Sequence, residues 1–370
     1  MIKTMTKRLL IADHFHDYAC ACLIENGKLS DLFFDAPAKT HSDNIPPRPQ
    51  AIYFAKVLRH LTNINASYYD LGHNHKGFLK NSKSKPQAQI LQATSFAQEN
   101  KATPLTDNVA ISSHYVVILP NDSGYSLSKN LKADKVFQSW LNDQSANLHP
   151  LTQDCGVIFR TQCQDHNFTA IHQDLIATHT KAQSIKTQAK SHQTQNKAGL
   201  LLPPPSAFER ARLIWSDDDI TPIHYAGCFR DYQIDEMIQA LQNPKIALPQ
   251  GGNMIIETTA ACVTIDINTA QDTSAHAGFK ASIHAIKALA PSLRVLGLGG
   301  QIVIDFPPFP KRDRALIEKA LTSTFSHDYI KTQLMGWTPL GHFELLRKRD
   351  RMPVSDLIAQ VLAKPAQQQR

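Results

Sequence analysis

The stretch CVTIDINTA, residues 262–270, alternates apolar and polar residues in the manner of a half-buried strand. Side chains of a strand point alternately to opposite faces of the sheet. One face therefore carries the apolar residues Val263, Ile265 and Ile267. The other face carries the polar residues Thr264, Asp266 and Asn268. A strand whose polar side simply meets water would show the same pattern, so this stretch alone leaves its function open.

A second apolar strand is predicted in QIVIDF, residues 301–306, and one carboxylate, Asp305, interrupts it near its end. Two core strands that each carry an aspartate suit a magnesium site. Mg²⁺ takes oxygen ligands and is usually held by one or two protein carboxylates. Asn268 is placed to hydrogen-bond Asp266 and hold it in a ligating rotamer. The alternative is that Asp266 and Asp305 are capping or turn residues at strand ends.

The first third of the chain has the pattern of short strands. Residues 7–35 predict strand segments with a turn at Asn26-Gly27. Several short apolar runs at close spacing follow between residues 51 and 120. They predict a small β-barrel, and the OB-fold is the smallest common form of such a barrel.

Helical patterns begin at residues 132–143 and continue in a long polar helix from Phe168 to about Lys190, followed by a helix capped by Ser206. After Asp231 helices and strands alternate, which is typical of a layered α/β arrangement. The elements predicted there are a helix at 234–242, strands at 253–257 and 262–267, a helix at 279–290, a strand at 301–306 and a helix at 312–325.

The composition is that of a globular protein, with 42% hydrophobic and 19% charged residues among 370. The sequence contains no run of about 18 apolar residues, so no membrane span is expected. Charged and histidine residues break the N-terminal apolar run, which argues against a signal peptide, so we expect a cytoplasmic protein. The six cysteines form no C-x-x-C pair. The net charge of +7 weakly favours a polyanionic partner.

Three segments taken together resemble the catalytic core of the ribonuclease E/G endoribonucleases. They are LPQGGNMIIETTAACVTIDINTA, LGGQIVIDF and GHFELLRKRDR, which begin at residues 248, 298 and 341. The resemblance implies that Asp266 and Asp305 bind the catalytic Mg²⁺, with Mn²⁺ as a substitute, and that Asn268 supports Asp266. It also implies that Arg347 and Arg349 face the RNA backbone near the metal. A surface helix end or a salt bridge to a carboxylate is the alternative for these two arginines.

The resemblance continues upstream through ASYYDLGHNHKGFL and the stretch from Gln89 to Asn121. It implies an OB-fold RNA-binding domain in which Tyr68 and Phe78 stack on bases and Lys101 contacts the substrate. Stacking on an aromatic ring is worth about 1–3 kcal/mol per base and works on any base, which suits unpaired RNA. The alternative for both aromatics is the barrel core.

The segment CGVIFRTQ, residues 155–162, is similar to the family segment in which an Arg-Thr pair grips the 5′-monophosphate of RNA. Arg160 and Thr161 inherit that role. A guanidinium fork and a hydroxyl both suit a phosphate dianion.

The fold that the resemblance implies is a multidomain α+β protein. Its parts are N-terminal strands of an RNase H-like region (1–45), the OB-fold domain (46–120), a 5′-sensor region (121–195), a shortened RNase H-like remainder (196–232) and a DNase I-like α/β catalytic domain (233–370).

The chain departs from the family at several positions. Ser95, Phe96, Glu99 and Ala102 alter the loop of the OB-fold domain, and FPPFP follows Asp305 where the family usually has another aspartate. The chain ends before the family's zinc-link, so no zinc is expected, and a homodimer would have to form without it.

Three functions follow from the sequence. The first is a Mg²⁺-dependent endoribonuclease that cleaves single-stranded RNA, favours 5′-monophosphorylated ends and serves RNA processing or decay. The second is an inactive RNA-binding relative with a regulatory role. Retention of both aspartates argues against it, because a dead site has no physical need for two mutually repelling carboxylates. The third is a nuclease acting on another nucleic acid or on one narrow class of RNA.

Overall fold

The computed structural model describes residues 8–37, 45–81, 87–97, 101–216, 219–269, 274 and 276–363. Two compact units divide the chain. One unit comprises Met1–Ala38 together with Asp218–Arg370, and the other comprises Lys39–Asp217. The five-part domain division expected from the sequence stays a prediction.

The strands, numbered in chain order, are β1 Arg8–Phe15, β2 Tyr18–Glu25, β3 Lys28–Pro37, β4 Ile52–Leu61, β5 Ala66–Asp70, β6 Lys76–Lys80, β7 Gln89–Ala93, β8 Thr103–Thr106, β9 Ile111–Ser112, β10 Val116–Leu119, β11 Tyr125–Leu127, β12 Gly156–Phe159, β13 Gly199–Leu202, β14 Ile220–His224, β15 Lys245–Ala247, β16 Asn253–Thr258, β17 Val263–Asn268, β18 Gly300–Asp305, β19 Thr332–Trp337 and β20 Phe343–Arg347. The helices are α1 Lys135–Asp143, α2 Ser145–Asp154, α3 Phe168–Thr194, α4 Ala207–Ile214, α5 Cys228–Asp231, α6 Ile234–Ala240, α7 Ala277–Val295, α8 Arg314–Ser326 and α9 Val354–Ala363.

The unit of residues 39–217 contains a closed barrel. Its strands follow the order β4-β5-β6-β8-β7, and β7 pairs back to β4 to close the ring. Alternate side chains fill the interior, among them Tyr53, Tyr69, Leu79 and Leu91. The small barrel predicted from the sequence is thus confirmed as a five-stranded closed barrel. β13 adds to the outside of β4.

A second sheet of this unit has the order β11-β12-β10-β9 and packs its apolar side against α3. The helix α3 begins at the cap residue Asn167, whose side chain accepts a hydrogen bond from the backbone of Ala170. The helix α4 begins at Ser206 in a capping box with Glu209. Both helices were predicted from the sequence, and both are confirmed.

The other unit contains two sheets. The first has the order β14-β1-β2-β3, and its β2–β3 hairpin turns at Asn26 and Gly27, with φ values of 52° and 74°. Positive φ at both turn positions is what a tight two-residue hairpin requires. This sheet packs against α5, α6 and α9.

The second sheet has the order β15-β16-β17-β18-β20-β19. One face buries an apolar core with α7 and α8, including Ile265, Ile267, Ile302 and Ile304. The pairs β17–β18 run parallel, while β18–β20 and β19–β20 run antiparallel. The β19–β20 hairpin was not predicted, because the sequence patterns predict no strand beyond residues 301–306.

A buried charge network joins the two sheets of this unit. Arg351 pairs with Asp31 of β3, and its guanidinium lies 3.8 Å from the Phe33 ring. Burial by itself lowers the pKa of Arg351, but attraction to Asp31 and Tyr329 together with the hydrogen bond to Asp31 raises the pKa above its usual value. The Tyr329 hydroxyl donates to Asp31 Oδ2 at 2.8 Å.

The same network continues to α7 and β20. Arg294 of α7 donates to Asp328 Oδ1 at 3.2 Å, and its Nε lies 3.8 Å from Asp31 Oδ2. Arg347 of β20 lies 2.7 Å from Asp328 Oδ2. The side chains of both aspartates are fully buried. Two carboxylates thus hold three guanidinium groups away from water, and they connect β3, α7 and β20.

We predict that Asp31→Asn lowers the free energy of unfolding by about 3–5 kcal/mol, because it leaves buried arginine charge without its counter-ion. Asp356→Asn is the matched control, since Asp356 is an exposed carboxylate in the first turn of α9 of the same unit and contributes less than about 1 kcal/mol. Urea unfolding of both variants measures the difference. Equal losses for the two variants would contradict a structural role of the network.

Candidate active site

Asp266 and Asp305 are directly opposite each other on the parallel strands β17 and β18. Residues paired in this way point to the same face of a sheet, and adjacent strands lie about 4.8 Å apart. Both side chains are exposed on the face opposite the helices, and that of Asp305 is 63% exposed. The two carboxylates predicted from the sequence are therefore brought together at the carboxyl ends of their strands.

Each carboxylate has its own neighbour. Asn268 Nδ2 donates a hydrogen bond to Asp266 Oδ2 at 2.7 Å, as the sequence pattern predicts. On the other side, His342 Nε2 lies 3.8 Å from Asp305 Oδ1. The sequence did not single out His342, because the hairpin that carries it was not predicted.

The turn of the β19–β20 hairpin fixes the position of His342. The backbone N–H of Thr338 donates to the His342 carbonyl at 2.8 Å, and the N–H of His342 donates to Thr338 Oγ1 at 3.1 Å. Gly341 completes the turn with a φ of 97°, a conformation that glycine adopts without strain. The turn therefore lies next to the end of β18.

The FPPFP stretch after Asp305 builds an aromatic cluster. The rings of Phe306 and Phe309 lie 5.7 Å and 6.0 Å from the Trp337 ring, in tilted and edge-on arrangements. The backbone of this stretch also passes close to α7, where a Cβ added to Gly278 would lie 2.1 Å from the Pro308 carbonyl oxygen. Glycine at this helical position allows the close approach.

The donor set fits a magnesium ion. Mg²⁺ keeps several water ligands and needs only one or two protein carboxylates, with substrate phosphates completing its shell. Asp266 and Asp305 supply two carboxylates on one exposed face. In the described part of the chain, no group of three or more His, Cys, Asp or Glu side chains could hold a metal ion.

Tyr68 and Phe78 form a pair on the outer face of the barrel. They are directly opposite each other on β5 and β6, and their ring centroids are 5.1 Å apart. Their neighbours Tyr69 and Leu79 point into the barrel instead. Both aromatics are half-exposed, so the barrel-core alternative does not describe them.

Basic residues surround this pair. Arg59 of β4 is opposite Tyr68, and Lys76 and Lys80 lie two residues from Phe78 on the same face of β6. Lys101 is exposed and precedes β8, and Glu99 lies outside the described residues.

Arg160 and Thr161 are directed to different partners. Arg160 donates to the carbonyl oxygens of Ser113 at 2.5 Å and Leu213 at 3.1 Å. Burial lowers the pKa of this guanidinium. Thr161 Oγ1 donates to Ser128 Oγ at 3.1 Å. For both side chains to hold one phosphate, Arg160 would have to exchange its hydrogen bonds to these backbone carbonyls for hydrogen bonds to the phosphate.

Arg347 and Arg349 do not lie near the carboxylate pair. The side chain of Arg347 is fully buried in the network with Asp328, so the prediction that it faces RNA is wrong and the salt-bridge alternative is correct. Arg349 is half-buried, and its guanidinium lies over Gly300 at the first residue of β18. Asp305 is the last residue of β18 and lies roughly 16 Å from Gly300 along the strand.

No helix in the described residues is long and apolar enough to cross a membrane. The five cysteines Cys20, Cys22, Cys155, Cys163 and Cys228 are buried free thiols, and Cys262 is a partly exposed one.

Two exposed carboxylates on adjacent strands, in a chain that also carries an aromatic and basic barrel face, are an arrangement that suits a metal-dependent nuclease. The sequence model of the Ribonuclease E/G family matches residues 110–226 and 216–350. The chain belongs to the Ribonuclease E/G family. The proteins that give this family its name are ribonucleases, which hydrolyse the phosphodiester bonds of RNA.

Individual relatives are distant in sequence. The chain is 25% identical to Ribonuclease E of Escherichia coli (strain K12) over 399 aligned positions, which cover 93% of this chain and 37% of that protein. It is 24% identical to Ribonuclease G of Salmonella typhimurium (strain SL1344) over 374 positions, which cover 83% of this chain and 74% of that protein. The chain therefore spans little more than a third of the length of this Ribonuclease E.

We predict that Gly278→Ala lowers the free energy of unfolding by about 1–3 kcal/mol, because the new methyl group overlaps the Pro308 carbonyl. The intrinsic preference of helices for alanine over glycine would change stability by about 1 kcal/mol in the opposite direction. Lys280→Ala, an exposed change on the same helix, is the control and stays within about 0.5 kcal/mol of the wild type. A stabilised Gly278→Ala variant in thermal unfolding would contradict the close packing.

Proposed function

We propose that the chain hydrolyses phosphodiester bonds in single-stranded RNA and requires Mg²⁺, in the cytoplasm and in RNA processing or decay. The observation that carries the proposal is the register of β17 and β18, which aligns Asp266 with Asp305 on one exposed face. Family membership supports RNA as the substrate. Asp266 and Asp305 are the residues proposed to hold the ion.

The residues of the site would divide the work as follows. Bound Mg²⁺ supplies Lewis-acid polarisation of a phosphate and lowers the pKa of a coordinated water. Asp266 and Asp305 would hold the ion with their carboxylates, and its positive charge would offset the repulsion between two like charges on adjacent strands. Asn268 holds Asp266 in one rotamer through the 2.7 Å hydrogen bond. Exposure of both carboxylates leaves room for an RNA phosphate.

RNA would be held on the outer face of the barrel, which is proposed to be an OB-fold. Tyr68 and Phe78 offer adjacent aromatic surfaces, and Arg59, Lys76 and Lys80 supply positive charge around them. Aromatic surfaces stack only on bases that are free of a duplex, so this face favours single-stranded RNA. The proposed assignments of the two sheets in the other unit are RNase H-like for the β1–β3 sheet and DNase I-like for the β15–β20 sheet.

A preference for 5′-monophosphorylated RNA is part of the proposal and rests on the similarity of CGVIFRTQ to the family segment. Thr161 would contact the phosphate directly. Arg160 supports the loop through Ser113 and would exchange a carbonyl partner for the phosphate. The rates of cleavage of one RNA with a 5′-monophosphate or a 5′-hydroxyl end measure this preference.

The experiment that tests the activity is cleavage of a 5′-monophosphorylated single-stranded RNA during a Mg²⁺ titration. We expect Asp266→Asn and Asp305→Asn each to lower the rate by about 100-fold or more, because a metal ion contributes several kcal/mol of charge stabilisation. Glu257→Gln is the matched control. Glu257 is an exposed carboxylate of the same sheet, paired with Thr264 two residues from Asp266, and its loss leaves the rate unchanged.

Cleavage that survives Asp266→Asn at the wild-type rate would refute the metal assignment. Tight RNA binding by the wild type without cleavage at any Mg²⁺ concentration would favour the inactive RNA-binding relative instead.

A second prediction concerns the barrel. Tyr68→Ala and Phe78→Ala each weaken binding of an unstructured RNA by about 1–3 kcal/mol, because each removes a stacking surface. Tyr125→Ala, which removes another exposed aromatic of the same unit, leaves binding unchanged. Fluorescence anisotropy with a labelled oligonucleotide measures all three. Equal effects at positions 68 and 125 would contradict a specific RNA-binding face.

A further inference from the structure

His342 is a polar side chain beside the carboxylate pair that the proposed function does not use. Its Nε2 lies 3.8 Å from Asp305 Oδ1, and its side chain is 35% exposed. Asn268 already holds Asp266 through a hydrogen bond of 2.7 Å. Among the described residues, no hydrogen bond reaches the carboxylate of Asp305. The two carboxylates of the pair are therefore held unequally.

The register of the sheet places His342 on the same face as the two carboxylates. Ile304 of β18 pairs with Phe343 of β20, and both side chains are buried in the core that α7 and α8 cover. Side chains alternate along a strand, so the neighbours Asp305 and His342 both point to the opposite, exposed face. The antiparallel register makes them the next opposed pair. Because Asp266 is opposite Asp305 on the other side, the three side chains form one row across the sheet.

The backbone of His342 is fixed at its place in this row. Its carbonyl accepts a hydrogen bond from the Thr338 N–H at 2.8 Å, and its own N–H donates to Thr338 Oγ1 at 3.1 Å. The next residue, Phe343, is buried and packs its ring edge-on against Trp337 at 5.1 Å. The side chain of Asp305 is 63% exposed and can rotate. Rotation of the two side chains alone can therefore shorten their separation to hydrogen-bond length, roughly 2.9 Å.

A neutral imidazole with its proton on Nε2 suits this position. It donates one hydrogen bond to a carboxylate oxygen and carries no charge, so it orients the carboxylate without competing with a cation for it. A carboxylate that binds a metal ion is commonly fixed by a hydrogen bond from a neighbouring group, and loss of that group typically costs about 10–100-fold in metal affinity. Asn268 is such a neighbour for Asp266.

We propose that His342 positions Asp305 for the cation, as Asn268 positions Asp266. This inference rests on the proposed function and makes His342 a positioning residue, which acts on the ion only through Asp305. The hydrogen bond from Nε2 to Oδ1 limits the rotamers of Asp305, so that less conformational entropy is lost when the cation binds. Each carboxylate of the pair then has its own hydrogen-bond donor.

The test measures binding of Mn²⁺ alone, without RNA, by the electron paramagnetic resonance signal of the free ion. Asp266→Asn identifies the part of the binding that belongs to the carboxylate pair. His342→Leu keeps a side chain of similar size without a donor and weakens this binding about tenfold. His342→Gln retains an N–H donor and restores most of the affinity, which a role in packing alone would not produce.

The Mg²⁺ dependence of RNA cleavage gives a second readout. His342→Leu raises the Mg²⁺ concentration at half-maximal rate about tenfold, because the variant binds the ion more weakly. The rate at saturating Mg²⁺ stays near that of the wild type, since both carboxylates remain.

His327→Ala is the matched control. His327 is an exposed histidine directly after α8, the helix on the other side of the sheet from the carboxylate pair, and its loss changes neither readout. A His342→Leu variant that unfolds in urea like the wild type but binds Mn²⁺ with wild-type affinity would overturn the inference, as would a His342→Gln variant that binds no better than His342→Leu. Failure of the proposed function is distinguishable, because the wild type would then cleave no RNA and show no Mn²⁺ binding that depends on Asp266, and the inference would fall with it.

Discussion

Two aspartates that water does not reach hold three arginines in the unit that contains the carboxylate pair. Asp31 belongs to one sheet, Arg347 to the other, and Arg294 to the helix α7 between them in the chain. A buried ion pair contributes little net stability relative to an apolar pair of the same size, but removing one partner is costly. The network therefore specifies one arrangement of β3, α7 and β20, and β20 in turn fixes the hairpin that borders the candidate active site.

Much of the site could be predicted because it depends on local alternation. Asp266 and Asn268 share a strand face by their spacing, and Asp305 shares it through the parallel register of β17 and β18. The turn at Asn26-Gly27 was also predictable from local sequence, because two adjacent residues set the geometry of such a turn.

The errors arise where a partner is distant in sequence. The family resemblance implies that Arg347 faces RNA, but Asp328, which lies on the loop before β19, pairs with Arg347 in the interior. The apolar residues Phe343 and Leu345 alternate with Glu344 and Leu346, a strand pattern that the surrounding basic residues concealed. The segment is rich in basic residues, but its apolar periodicity determined its structure.

The exposure of Asp305, at 63% of its side chain, has a consequence for how the site would be supplied with metal. A cation bound by two solvent-facing carboxylates retains most of its hydration shell and can leave without any rearrangement of the protein. Under the proposed function, such an ion would be a dissociable reactant and not a fixed part of the fold. The fraction of competent molecules would then follow the free cation concentration of the surroundings, so that ionic conditions set the rate before any other regulator acts.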